Sequence, residues 1–262
     1  MTRFLKIILF FFFAVFLAST NTHATNIADN YIGADHHGHG DVIGSSSLFD
    51  ISGAEVNLVG NTLTVDIYTE FAGRGDNGYY RCLTEGRKGI GYGDLFLANT
   101  WSPYGNAPYV DDEHNTGTTW TYAVGLGENR WDSTGGGATL YSLTGGDNDV
   151  DALLSDDFMT RGIYRNGQEV AVDAFSSTVT SLSNSASWSI DDDFIRFVLD
   201  ITGTDLLSGN EIAFHWGPTC QNDVIEGSAH AAPEPATILL LGTGLFGLVG
   251  VGRKKIKKDR DN

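Results

Sequence analysis

Short stretches in which apolar and polar residues alternate run through the middle of this chain, broken every few positions by Gly, Ser, Thr, Asp or Asn. A period of two marks a strand with one buried face, and the frequent breaks deny the spacing a helix needs. Val56 and Leu58, then Leu63, Val65 and Ile67, flank Gly60-Asn61 and predict a hairpin. Ile163-Tyr164 and Val170 to Val172 flank Asn166-Gly167 and predict a second, because that pair suits the positive φ angles of a tight turn. Further strands are predicted at 95–97, 120–126, 138–143, 194–201 and 212–216. In the fourth of these, Ile195, Phe197, Leu199 and Ile201 share one face, with Arg196 and Asp200 on the other. A short turn near 150–158 is the one helix expected. Residues 25–232 are long enough for one domain. Many short strands with frequent turns predict a single all-β, jelly-roll-like β-sandwich, with a barrel as the alternative. The absence of an internal repeat argues against a propeller or solenoid.

The ends follow a different pattern. Residues 7–18 form an apolar run of 12 that contains five phenylalanines. Arg3 and Lys6 precede it, and Thr22-His23-Ala24 follows. Basic, apolar and small residues in that order predict a signal peptide over 1–24, removed by signal peptidase after export through the secretion machinery. Twelve residues fall short of the roughly 20 that a permanent anchor needs. At the other end, 236–252 is uncharged over 17 residues, the lower edge of spanning length. Arg253, Lys254 and Lys255 follow it and should remain cytoplasmic, leaving the body outside the inner membrane.

Charge narrows the partners. The whole chain carries −17, but 25–232 holds 30 acidic and 8 basic side chains, a net of −22. A body this acidic repels phosphate backbones, which excludes nucleic acid as a partner. Its 41% hydrophobic and 11% aromatic content argues against wholesale disorder. Cys82 and Cys220 are the only cysteines. In an exported chain two cysteines are expected to form a disulfide, with two free thiols as the alternative.

Pro233-Glu234-Pro235, the apolar stretch and the basic cluster, in that order, resemble the PEP-CTERM sorting signal of Gram-negative bacteria. The two prolines cannot continue a helix and hold this entry extended. The resemblance implies an exosortase as partner, with Pro233, Glu234 and Pro235 as its recognition residues. It also implies transient anchoring in the inner membrane, through the C-terminal helix alone, and delivery to the cell surface or an extracellular polysaccharide matrix. An uncut single-pass anchor is the alternative. The stretch 211–227, which contains Phe214, Trp216 and Cys220, is similar to one that recurs before the tail in a subset of these proteins, as is Asp41-Val42-Ile43-Gly44. That likeness implies a shared fold and export route and no particular activity.

Several clusters could carry chemistry. His36, His37 and His39, with Asp35 and Asp41, offer ligands to zinc, copper or nickel, although a solvated polar segment has the same composition. Asp147, Asp149 and Asp151 stand at alternate positions, as in calcium loops. Ala152 and Phe158 occupy the sixth and twelfth positions, where an EF-hand needs Gly and Glu, so any calcium there is bound differently. Asp111-Asp112-Glu113 and Asp191-Asp192-Asp193 are further acidic loops. No cofactor other than calcium is expected. Trp101, Tyr104 and Trp131, with Tyr79, Tyr80, Tyr109 and Trp120, suit stacking on sugars, or else fill the core. GxSxG, HExxH and P-loop patterns are all missing. The expectation is therefore a non-enzyme, structural or adhesive. A carbohydrate-binding module of the exopolysaccharide matrix is the second reading, and a secreted polysaccharide hydrolase the third.

Overall fold

The computed structural model describes residues 23–230, apart from His36, 76–79, Ser133 and Asp147. Within it, 24–230 belongs to one compact unit. The strands are β1 (His23–Ala28), β2 (Ile51–Val59), β3 (Thr62–Thr69), β4 (Leu95–Ala98), β5 (Tyr122–Gly125) and β6 (Gly135–Leu143). They continue with β7 (Ala152–Leu154), β8 (Glu169–Val172), β9 (Val179–Ile190), β10 (Phe194–Asp200), β11 (Glu211–Trp216) and β12 (Ile225–His230). Three single helical turns, α1 (Ser46–Phe49), α2 (Asn148–Asp151) and α3 (Ser155–Phe158), lie between them.

Ten strands form one antiparallel sheet in the order β1-β2-β3-β10-β9-β6-β5-β4-β11-β12. The sheet curls until its edges almost meet. Gly53 on β2 and Gly227 on β12 both pack on Ile27 of β1, and a Cβ on either would fall within 2.7 Å of that residue. The fold is thus all-β, as expected, but its architecture is a near-closed barrel, and the two-sheet, jelly-roll form is not what these strands build. Strand alternation is the same in both architectures, so only the order of pairing separates them.

The barrel interior takes every second residue. Leu63, Val65 and Ile67 of β3, Ile195, Phe197 and Leu199 of β10, and Phe214 and Trp216 of β11 are all buried there. On β10 the opposite face carries Arg196, whose guanidinium holds Asp66 of β3 through bonds of 2.7 and 2.6 Å. The register places those two residues directly across from each other.

Around β4, β5 and β11 the sheet is buried on both faces. Leu95 and Leu97 point into the barrel, while Phe96 and Ala98 meet a second layer with Trp120, Ala123, Ala152, Val172 and Ala213. The two-stranded sheet β7-β8 supplies part of that layer. This explains why 95–98 reads as a continuous apolar run and not an alternating one. Asp94, 1% exposed, fastens the layers: it accepts the Leu126 and Val172 amides at 2.9 and 2.8 Å and pairs with Arg130 at 3.0 Å.

Two expectations are corrected. Gly167 bends the chain at φ +74°, but Asn166 does not take the positive φ of a primed turn, and no hairpin is joined. Its first arm is unpaired, with Ile163 64% exposed, and β8 pairs with β7. The cause is Arg165, which turns inward between them to bond backbone carbonyls. Nor do the cysteines pair: Cys82 is an exposed free thiol on a short turn, and Cys220 is a buried free thiol in the core. Burial pushes the Cys220 thiol up to about 12.

Candidate functional site

Two stretches far apart in the chain meet beside the seam of the barrel. One is the segment after β1, from Asp29 to Gly44. The other is the turn from Pro218 to Val224, which leads into β12. The Ile43 amide donates to the Asn222 carbonyl at 2.7 Å. Arg165 lies under both, with no exposed surface. It donates to the carbonyls of Gly33, Gly40, Asp41 and Gln221.

The histidine loop is organised by a carboxylate. Asp35 accepts the amides of His37, Gly38 and His39 at 2.9, 2.5 and 2.7 Å, and the His39 ring through Nδ1 at 3.0 Å. Burial alone would raise its pKa, but these donors together hold it well below the usual carboxylate range. His37 and His39 touch edge to face at 5.5 Å. His36 lies outside the described residues. Of the three alternating aspartates, Asp147 lies outside them too, and the Asp149 side chain is likewise not described. Asp151 is 2% exposed and accepts the Gly145 amide at 2.7 Å and the Thr178 hydroxyl, which is a structural tether.

The convergence of carboxylates falls elsewhere. Asp29, Asp41 and Asp223 each place an oxygen within 4.8 Å of the other two. Asp223 is 1% exposed and accepts the Ile51 and Val224 amides at 2.6 and 2.9 Å. Burial, and then the charge of Asp29, push it up to about 9. Asp29 is pushed up to about 7 by burial and the charge of Asp41. Both Asp29 oxygens are enclosed, and no donor meets hydrogen-bond geometry with either, although the Tyr31 amide offsets some of the cost. Burial also raises Asp41, against the pull of Arg165.

A second group lies under an aromatic loop. The Trp101 indole donates to Glu226 at 3.1 Å and meets Tyr109 edge to face at 5.5 Å. Tyr109 stacks on Tyr31 at 6.0 Å, and Tyr104 stands 54% exposed on the same loop. Beneath them the buried His215 ring contacts Glu226 at 3.0 Å through Nδ1 and the Glu169 carbonyl at 2.8 Å through Nε2. Tyr31 donates to buried Asp112 at 3.1 Å. Trp120 belongs to the core at 2% exposure. Trp131 covers Gly91 and lies 5.6 Å from the Lys88 ammonium, so its face is occupied within the protein. Tyr80 borders an apolar cleft of about 310 Å³ with Ile43, Phe49, Leu83 and Met159. Tyr79 lies outside the described residues. The structure thus joins Trp101 and Tyr104 in one loop and leaves Trp131 apart from them.

Among the described residues no helix is long and apolar enough to cross a membrane. Of the proposed signal peptide only His23 and Ala24, at the start of β1, are described, and Pro233-Glu234-Pro235 and 236–252 lie outside the described residues. Comparison with curated proteins and with solved structures finds no match. Residues 231–254 match the PEP-CTERM protein-sorting motif, so the chain carries near its C-terminus the signal of an exosortase-dependent exported protein.

Proposed function

We propose that the barrel is a non-catalytic structural or adhesive component of the cell surface or its polysaccharide matrix, delivered there by exosortase. The sorting motif over 231–254 carries this reading. In it, residues 1–24 direct export, 236–252 anchor the chain briefly, and cleavage near Pro233-Glu234-Pro235 frees the acidic body. Intact-mass analysis of the protein from its own host tests the route. The expected mass begins after Ala24 and ends near Pro233, while a mass that retains 236–262 rejects the processing.

A second reading, carbohydrate binding, is favoured by the loop that carries both the exposed Tyr104 and the Trp101–Tyr109 pair. Rings that cover a sugar face, with carboxylates nearby for hydroxyls, suit that task. Tyr104→Ala is expected to weaken retention on the host's exopolysaccharide about 3- to 10-fold. Equal retention of wild type and variant removes this loop as the binding surface. Shortening of the polysaccharide by the wild type would instead favour the hydrolase reading.

A further inference from the structure

We propose that the apolar cleft beside Tyr80 binds a small, uncharged, single-ring molecule that carries a hydroxyl group. Three stretches of chain wall it: Ile43 and Phe49 from the α1 region, Tyr80 and Leu83 from the turns between β3 and β4, and Met159 and Ile163 after α3. Ile43, Phe49 and Met159 are buried, while Ile163 and Tyr80 stand exposed at the rim. Apolar side chains left open beside an apolar hollow gain when a ligand covers them. The two outer walls are tied together. Thr84 and Met159 form an antiparallel bridge, and the Thr160 amide and hydroxyl both donate to the Leu83 carbonyl, at 2.8 and 3.0 Å. The Arg161 guanidinium adds a bond to the Cys82 carbonyl at 2.9 Å. A ligand therefore meets a preformed site and pays little for ordering it.

The independent indication is Asn222, which lines the cleft and is 6% exposed. Its Oδ1 is shielded from solvent and receives no hydrogen bond. Its Nδ2 points toward Gly44, another residue of the cleft wall, and lies 3.7 Å from where a Cβ would stand there. A buried amide left unbonded is costly. A half-turn about χ2 brings either amide atom to the cleft, and a hydroxyl, both donor and acceptor, matches both. His39 also lines the cleft, and its Nδ1 faces the Asp35 carboxylate at 3.0 Å. Nδ1 then carries the proton of the neutral ring, and Nε2 is left as an acceptor.

Size and charge set the rest of the ligand. The cleft holds about 310 Å³, about twice the roughly 150 Å³ that admits benzene to an apolar cavity. That suits one substituted ring and is too small for a sugar chain. A body with 30 acidic and 8 basic side chains repels anions such as fatty acids. No carboxylate lines the cleft among the described residues, so a cation would lose its water without gaining a partner.

The test uses the full-length chain in detergent, with methionine labelled at its methyl carbon. Met159 is one of two methionines, the other being Met1, so its resonance is a reporter in the cleft wall, assigned with Met159→Leu. The probes are thymol, cymene, which lacks only the hydroxyl, and cuminate, which carries a carboxylate, with free ligand measured by dialysis. Thymol should shift the Met159 signal saturably, with a dissociation constant of about 10⁻⁵ to 10⁻³ M. Cymene should bind about 5- to 20-fold more weakly, and cuminate at least about tenfold more weakly. Asn222→Leu breaks no side-chain bond and should bind thymol no better than wild type binds cymene, with cymene binding kept as the check on folding. The site is overturned by a Met159 signal that never saturates with thymol, or by wild-type affinities for thymol and cymene that coincide. Undiminished thymol binding in Asn222→Leu, or cuminate bound as tightly as thymol, would overturn it equally.

Discussion

Replacing Arg165 by Met will destabilise the barrel by about 3–5 kcal/mol and lower its melting temperature by about 10–15 °C. The Arg165 side chain is fully buried, and its guanidinium reaches the Gly33 carbonyl at 2.9 Å, Gly40 at 2.9 Å, Gln221 at 3.1 Å and Asp41. Its own amide donates to Cys220 at 3.3 Å. Methionine follows the aliphatic stem but donates nothing, so up to four carbonyls lose their partner. Each buried acceptor left unmade costs about 1–3 kcal/mol, reduced where water can enter. Burial holds the guanidinium below its ordinary pKa, while Asp223, Asp35 and Asp41 support its charge. Arg165→Lys separates the two contributions, since it keeps the charge but cannot fork to four acceptors. It should recover less than half of the loss. Hydrogen exchange should localise the damage, with amides between residues 33 and 44 losing protection in both variants. A Met variant that melts within about 2 °C of wild type would show that this segment is held by other means.

The same residue shows where strand pattern ceases to be a guide. Around Gly60-Asn61 the alternation is strict on both arms, and β2 pairs with β3 as the pattern requires. Around Asn166-Gly167 the turn chemistry is equally clear, yet an inward Arg165 takes the first arm out of pairing. A local pattern cannot register a hydrogen-bond hub whose acceptors lie at 33, 40, 41 and 221. Strand β9 fails in the opposite sense. Leu182, Ala186, Trp188 and Ile190 keep a period of two among serines, and these four pack against the core. Asn184 breaks that apolar register, because its amide is used to bond the Asp200 and Thr202 carbonyls at 2.8 and 2.9 Å. Serine-rich composition then disguises a 12-residue strand as a loop. The carboxylate cluster was illegible for a different reason. Asp29 stands among unremarkable polar residues, Asp41 reads as part of the histidine cluster, and Asp223 sits almost the whole domain away. Only closure of the barrel brings them together. The aromatic loop was half legible: Trp101 and Tyr104 are close in sequence and share one loop, whereas nothing local distinguishes them from Trp120, which the second layer buries.

The barrel will lose stability as pH rises from 5 to 9, and Asp112→Asn will remove part of that loss. Asp29 and Asp223, both raised by burial, act in this direction, and so does a second set: Asp112 on the loop before β5, Glu169 on β8 and the buried His215. Burial, then the charge of Glu226, push Asp112 from its ordinary 3.8 up to about 7. Burial likewise raises Glu169, which His215 offsets only in part. For His215 burial acts downward, but the Glu226 hydrogen bond and the charges of Glu169 and Glu226 outweigh it, and the net shift is upward. All three groups therefore hold protons more tightly folded than unfolded. Their contribution is fully present below the unfolded pKa values and drains as pH climbs through the folded ones. For Asp112 that window runs from about 4 to 7, and it carries about 2–4 kcal/mol. The His215 share is lost later, above its ordinary 6.5. Asparagine at 112 stays neutral throughout and keeps one oxygen to accept the Tyr31 hydroxyl. The variant should match wild type at pH 4 and exceed it at pH 8 by about 2 kcal/mol, or about 5 °C. Melting curves across the range decide the matter. A flat wild-type profile, or an Asp112→Asn variant no more stable than wild type at pH 8, would mean that Asp112 keeps its charge in the folded barrel.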